Sequence, residues 1–217
     1  MMKQIFIISL LLSGFSLAAF AQKDAKAKEL LDKSSATFSQ SGDLSVSFTM
    51  NVKDAANKTT ESFDGQISLK KNKFLIEIPG RDIYFDGKTQ WVHDKSYEEV
   101  NISEPDDKEV QTLNPAFIFE MYKKGCDYKY TGAKTDTKMR KVQEVALFPK
   151  DKKGDITRID LQINEIDFMP VFIHIFYKNK LENIIYINKY QTKLNLSDGL
   201  FVFDTKKHPG VEVIDLR

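Results

Sequence analysis

From residue 44 onward the chain is dominated by alternation of apolar and polar side chains. Leu44, Val46, Phe48, Met50 and Val52 are interleaved with Ser45, Ser47, Thr49 and Asn51, the period of a strand that is apolar on one side and wet on the other. A polar turn at 54–58 follows. Phe63, Ile67 and Leu69, then Phe74, Ile76 and Ile78, continue the same rhythm, and Asp86-Gly87 is a tight turn joining 83–85 to 91–93. The same pattern returns at Tyr128 and Tyr130, over 142–148 and 156–163, and in a hairpin of 168–177 with 181–190 across Lys178-Asn179-Lys180. A last short strand is expected at 200–203. The count is about ten to twelve strands, few enough for one sheet of antiparallel hairpins.

Helical periodicity is scarce. Ala27, Leu30, Leu31, Ser34 and Phe38 recur at three- and four-residue steps within 23–40, with Gly42 as a stop. In the middle, Pro105-Asp106-Asp107 after Ser103 reads as one helix start. Asn114-Pro115 reads as a second, with Lys123, Lys124 and Gly125 marking its end. Between 116 and 122 the only charged residue is Glu120, so this short helix has little polar face to give to water and must be covered on most sides.

The first segment has a different rhythm. Met1-Met2-Lys3 is a short positive start, positions 5–12 are almost unbroken apolar, and Ala19-Phe20-Ala21 fits the small-x-small rule of signal peptidase. The expectation is an export signal over 1–21 and one domain over 22–217. The apolar run is shorter than the ~20 residues that a spanning helix needs.

Composition narrows the function. Lys3 is the only charged residue before Gln22, so the remainder carries 31 Lys and Arg against 31 Asp and Glu. That balance lacks the basic excess of a nucleic-acid binder and offers no polybasic patch for anionic lipid. A hydrophobic fraction of 41%, with 16 Phe and 8 Tyr, belongs to a packed, strand-rich chain. The single cysteine, Cys126, leaves no internal disulfide and no CxxC site, and reads as a small buried hydrophobe.

Candidate chemistry is thin. His93, His174 and His208 are far apart and outside any HExxH or HxH spacing, and the chain has no GxSxG, GxxxxGK[ST] or GxGxxG motif. Glu98-Glu99 would point to opposite faces of a strand, and Asp106-Asp107 suits a helix start. No catalytic residue, cofactor or metal is expected. A one-faced sheet must bury its apolar side by folding into a sandwich, closing into a barrel or receiving helices. The helical material is too scant to fill a curved sheet, but a cavity wall and a packed core are written with the same residues.

Four stretches carry a resemblance. They are the opening helix with Leu44-Ser45-Val46-Ser47-Phe48-Thr49; Gly65-Gln66-Ile67-Ser68-Leu69-Lys70-Lys71-Asn72-Lys73-Phe74; Asp86-Gly87-Lys88-Thr89-Gln90-Trp91; and Phe201-Val202-Phe203 with Pro209-Gly210-Val211-Glu212-Val213-Ile214-Asp215. In their order and spacing, with the helix at Asn114-Pro115-Ala116-Phe117, the chain resembles the periplasmic outer-membrane lipoprotein carrier proteins, the LolA family. The resemblance implies a mainly β fold, an incomplete, unclosed antiparallel β-barrel capped by lid helices. Its hydrophobic cavity would sequester the acyl chains of lipoproteins and shuttle them from inner to outer membrane.

On that reading the expected lipid-binding wall is Val46, Phe48, Met50, Ile67, Leu69, Phe74, Ile76 and Trp91, with Leu31, Phe38, Phe117, Ile118 and Met121 on the lid helices. The expected protein is a periplasmic monomer without catalysis. Its partners would be acylated lipoproteins and an inner-membrane lipoprotein-releasing ABC transporter complex, with an outer-membrane acceptor left open. The family usually has Arg-Pro where this chain has Lys71-Asn72, and the resemblance ties that arginine to lid control. Lys71 keeps the charge but loses the planar fork of donors. His93 stands where an aromatic is usual, Lys95 where a proline is, and Glu99 where a glutamine is. Two other readings stay open: a carrier of another lipid or hydrophobic pathway intermediate with the same shape, and an exported hydrolase using His93 or His174.

Overall fold

The computed structural model describes residues 24–56, 58–106 and 117–217. The expected export signal and the Asn114-Pro115 helix start lie outside these residues. The earlier expected start, Pro105-Asp106-Asp107, falls at the edge of them: residues 104–106 are irregular, and the helix that it would open lies outside the described residues.

The chain opens with helix α1 (Ala25–Gln40). Asp24 caps it, its carboxylate accepting from the backbone N–H groups of Lys26 and Ala27 at 3.1 and 3.0 Å, two of the donors that a helix start leaves unpaired. The other carboxylate oxygen accepts from the N–H of Tyr130 at 2.8 Å, so one side chain both starts the helix and pins it to a strand 106 residues away.

Twelve strands follow among the described residues. The first six are β1 (Asp43–Lys53), β2 (Thr59–Lys70), β3 (Lys73–Ile78), β4 (Arg81–Phe85), β5 (Gln90–Asp94) and β6 (Glu99–Ser103). Helix α2 (Phe117–Lys124) ends where Lys123, Lys124 and Gly125 placed its end. Then come β7 (Cys126–Thr135), β8 (Lys141–Pro149), β9 (Ile156–Asn164), β10 (Pro170–Tyr177), β11 (Glu182–Leu194) and β12 (Glu212–Asp215). All twelve form one sheet in the order β12-β6-β5-β4-β3-β2-β1-β11-β10-β9-β8-β7. Its two end strands do not pair with each other, so the sheet is unclosed.

One expectation is corrected. Residues 200–203 are not a strand; Asp198–Phe201 is a short 3-10 turn, and the last strand is β12, which pairs parallel to β6. The reason is tertiary. The segment after β11 crosses the outer face of the first six strands. Lys70 ion-pairs with Asp198 at 3.0 Å and Lys73 does so at 3.3 Å, while Phe203 packs its ring on Tyr84 and His93. Phe201 is fully buried there. Ser45 and Ser68, directly opposite each other on what the alternation marked as a wet face, are buried as well, in line with a covering segment that closes over small side chains.

The inner face holds two cores. In one, Ala27 and Leu31 of α1 and Phe119 and Tyr122 of α2 pack on Tyr128, Val145, Leu147 and Ile159 of β7–β9. In the other, Leu44, Leu69, Phe74 and Phe85 close one end of β1–β4, with the Phe74 and Phe85 rings stacked at 5.1 Å. Phe38 touches both.

Candidate functional site, an apolar hollow

Period-two alternation sends every second side chain of each strand to the inner face, and the register lines them up across the sheet. Met50 faces Phe63 on β2 and Ile185 on β11; Phe48 faces Gly65 and Ile187; Ile67 faces Ile76, which faces Ile83. On the other side Ile173 pairs with Ile185 and Leu161, and Ile175 with Ile159. Side chains from β4 through β9 therefore form a continuous apolar stripe. In a flat sheet β4 and β9 would stand roughly 29 Å apart, six strand spacings of about 4.8 Å. Both instead line one hollow of about 410 Å³, so the sheet curls around it.

Helix α2 forms the remaining wall, through Phe117, Ile118, Phe119 and Met121, and α1 contributes Phe38. The Phe38 and Phe119 rings meet at 5.1 Å and join the two helices at the edge of the hollow. Tyr122 fastens α2 from behind, donating its hydroxyl to Asp32 of α1 at 3.0 Å, and burial pushes its phenol up to about 12. Asp32 in turn sits below the usual carboxylate range, chiefly through its hydrogen bond from Lys28.

Among the described residues one end of the hollow is packed and the other is open. Leu44 and Val46 are buried at the start of β1, whereas burial lapses from Ser47 onward and β2 is exposed over its first four residues. Gly65 shapes the floor. A Cβ there would run into Cζ of Phe48 and lie 3.0 Å from Cγ2 of Ile78, so its absence lets the Phe48 ring lie across β2. Any side chain at 65 would drive that ring into the hollow.

Nine of the thirteen expected wall residues line the hollow: Val46, Phe48, Met50, Ile67, Ile76, Phe38, Phe117, Ile118 and Met121. Four do not. Leu31 is fully buried between the helices and the sheet, and Leu69 and Phe74 belong to the packed end. Trp91 lies on the opposite face: Ile83 points inward and pairs with Val92, so Trp91, one residue earlier and paired with Tyr84, must point outward. The pattern of apolar positions gave no wall role to the β9–β11 side, where Ile159, Leu161, Ile173, Ile175, Ile185 and Ile187 supply the facing wall of the hollow. Their alternation is as regular as that of β1, but nothing local says that two distant strand groups face one space.

Lys71 sits at the exposed turn between β2 and β3, first of a two-residue loop bracketed by the Lys70–Lys73 pair, with φ 55°. No hydrogen bond or ion pair ties it to a described residue of either helix. The histidines are elsewhere too. His93 is buried against Phe203 and His208, and His174 contacts Glu182 at 2.8 Å on the outer face. Cys126 is buried, and its thiol is pushed up to about 11 by that burial, which leaves it unreactive. No group of three or more metal-ligating side chains occurs among the described residues.

The family model described as outer membrane lipoprotein carrier protein LolA matches residues 17–177. A crystal structure of an uncharacterised conserved protein from Thermus thermophilus aligns with a TM-score of 0.58 at 12% identity, covering 88% of this chain and 99% of that one. A LolA superfamily protein from Nitrosomonas europaea aligns at 0.44 and 12% identity, over 82% and 98% of the two chains. A putative outer membrane lipoprotein-sorting protein domain from Vibrio parahaemolyticus aligns at 0.44 and 11%, over 81% and 97%. Identities this low speak to fold alone. No curated protein matches the chain in sequence.

Proposed function

We propose that this protein, which belongs to the outer membrane lipoprotein carrier (LolA) family, is an exported carrier that holds the acyl chains of lipoproteins in its hollow while they cross the periplasm from inner to outer membrane. The observation that carries the reading is the hollow itself: about 410 Å³, walled mostly by hydrocarbon and roofed by a short apolar helix. That volume lies within the roughly 300–1,000 Å³ of small-molecule sites.

Hiding acyl chain from water is worth about 0.8 kcal/mol per CH₂, so hydrocarbon does not cross an aqueous gap unaided and an apolar sleeve is sufficient chemistry. No bond is made or broken, and no catalytic group is required. Phe48, Met50, Ile67, Ile76, Phe117 and Met121 contact the chains, and α2 yields as they enter. Residues 22–217 act as one carrier domain. Loading falls to an inner-membrane lipoprotein-releasing ABC transporter, since lipid leaves a bilayer only against the same per-methylene cost.

The test is to fill the hollow. Ile185→Trp, at the centre of the inner face, is expected to lower binding of a diacylated lipopeptide at least tenfold while leaving the unfolding midpoint within a few degrees. A variant that folds and binds as the parent does would remove the basis for the proposal.

A further inference from the structure

Three polar side chains interrupt the lining of the hollow: Tyr177, Asn183 and Tyr190. Tyr190 is committed, since its hydroxyl donates to the Pro170 carbonyl at 2.8 Å. Tyr177 and Asn183 form a pair. The Asn183 amide donates to the Tyr177 hydroxyl oxygen at 3.1 Å, which leaves the phenol proton, the second amide proton and the amide oxygen facing outward from that bond. Burial raises the phenol above its ordinary value, so this pair sits where water is already scarce.

Its position is informative. Ile175 pairs with Asn183 and Val52 also faces Asn183, which places the two polar residues at the less packed end of the hollow rather than at the Leu44 and Phe74 end. The same two side chains line a second recess of about 390 Å³ outside it, shared with Asp155, Lys178, Asn179 and Leu181. A hydrocarbon compartment and a recess that carries charged side chains thus meet at this pair. The recess does not favour an anion. The Lys178 ammonium donates to the carbonyls of Lys152 and Lys153, at 2.7 and 3.4 Å, and Asp155 adds a carboxylate to the same recess. An anionic head there would lose hydration beside the Asp155 carboxylate and would compete with two carbonyls for the Lys178 donors.

We infer that Tyr177 and Asn183 anchor the uncharged ester or amide head of an acyl ligand, with its chain in the hollow, and that this pair selects such ligands over free fatty acids. The inference rests on the acyl-carrier reading and adds the head-group class to it. The phenol donates to the ligand carbonyl, and the amide supplies a second donor and an acceptor for a neighbouring hydroxyl or N–H.

Native mass spectrometry of the full chain at pH 8, incubated with equal amounts of 1-monopalmitoylglycerol and palmitate, reads the preference directly. The ester complex is expected to exceed the acid complex about tenfold, and Tyr177→Phe and Asn183→Leu are each expected to cut that ratio about fivefold, one net hydrogen bond's worth. The far-UV circular dichroism spectrum and the unfolding midpoint of each variant are expected to stay close to the parent's, which separates a lost anchor from a lost fold. A parent without preference, or variants that keep it, would overturn the anchor while leaving the carrier reading intact. A parent that takes up neither ligand would overturn both.

Discussion

His93 occupies an unusual place for an imidazole: 6% exposed, on the outer face of β5, between Phe203 and His208 with ring centroids at 4.9 and 4.8 Å. Burial first, and the charge of His208 second, hold it below its ordinary 6.5, against the opposing pull of Asp82 and Asp94; Lys95 adds to the lowering. The unfolded chain takes up a proton near pH 6.5 that the folded chain refuses until lower pH. Stability is therefore complete above about pH 6.5 and falls as pH drops from there toward the folded value. Urea unfolding at pH 7.5 and pH 5.5 should show the loss, and His93→Phe should flatten this part of it. A slope unchanged by that substitution would place the titrating group elsewhere. In the sequence His93 stands where an aromatic is usual; in the fold it fills an aromatic's place, stacked among rings. Alternation puts His93 on the same face as Trp91, which was expected on the inner wall; the fold turns both outward, and the partners Phe203 and His208 come from a segment more than 100 residues later, which no local pattern ties to β5.

Asp24 shows how an element is held. Its carboxylate serves the first turn of α1 and the edge strand β7 together, and the hydrogen bonds from Ala27 and Tyr130 hold it below the usual carboxylate range. Asp24→Ala should cost about 0.5–2 kcal/mol, the range of a lost cap. It should also speed hydrogen exchange at the Tyr130 amide, which a cap acting on the helix alone would leave unchanged. The expected helix over 23–40 placed Asp24 inside it, whereas Asp24 stands just ahead of the first turn as its cap; its second role has no local signal, because β7 is remote in sequence. The same holds for α2. Its end at Lys124 and its need for cover were written in 116–125, but the sheet decides that one side of it packs on α1 and β7 while another faces empty space. The stretch 200–203 is the opposite case: Phe201 and Phe203 alternate like a strand, yet the covering segment turns there, and β12 forms further on.

At the scale of the whole molecule, the curled sheet separates two faces with different tasks. The outer face of β3–β6 and the near ends of β1 and β2 is covered by the chain's own C-terminal segment, and the inner face is partly covered by the two described helices. Trp91 reports this separation. Because it lies on the outer face, its emission should stay constant as acyl ligand fills the hollow, whereas a tryptophan at Ile185 in a Trp91→Phe background should respond to a small probe. A strong response of Trp91 itself would mean that ligand also reaches the outer face. By itself the sequence determined the mainly β class, the strand periods, which side chains share a face within each strand, and both described helices, since all of these follow from spacing over a few residues. Only the tertiary structure decided which apolar faces meet, that β9–β11 share a space with β1–β4, that Leu31, Leu69 and Phe74 are packed while Phe48 and Met50 are not, and that two polar side chains stand at the border of the hollow. Burial in a core and exposure to a cavity call for the same residues; the difference is whether the opposite wall comes within van der Waals reach, and the curl of the sheet sets that distance.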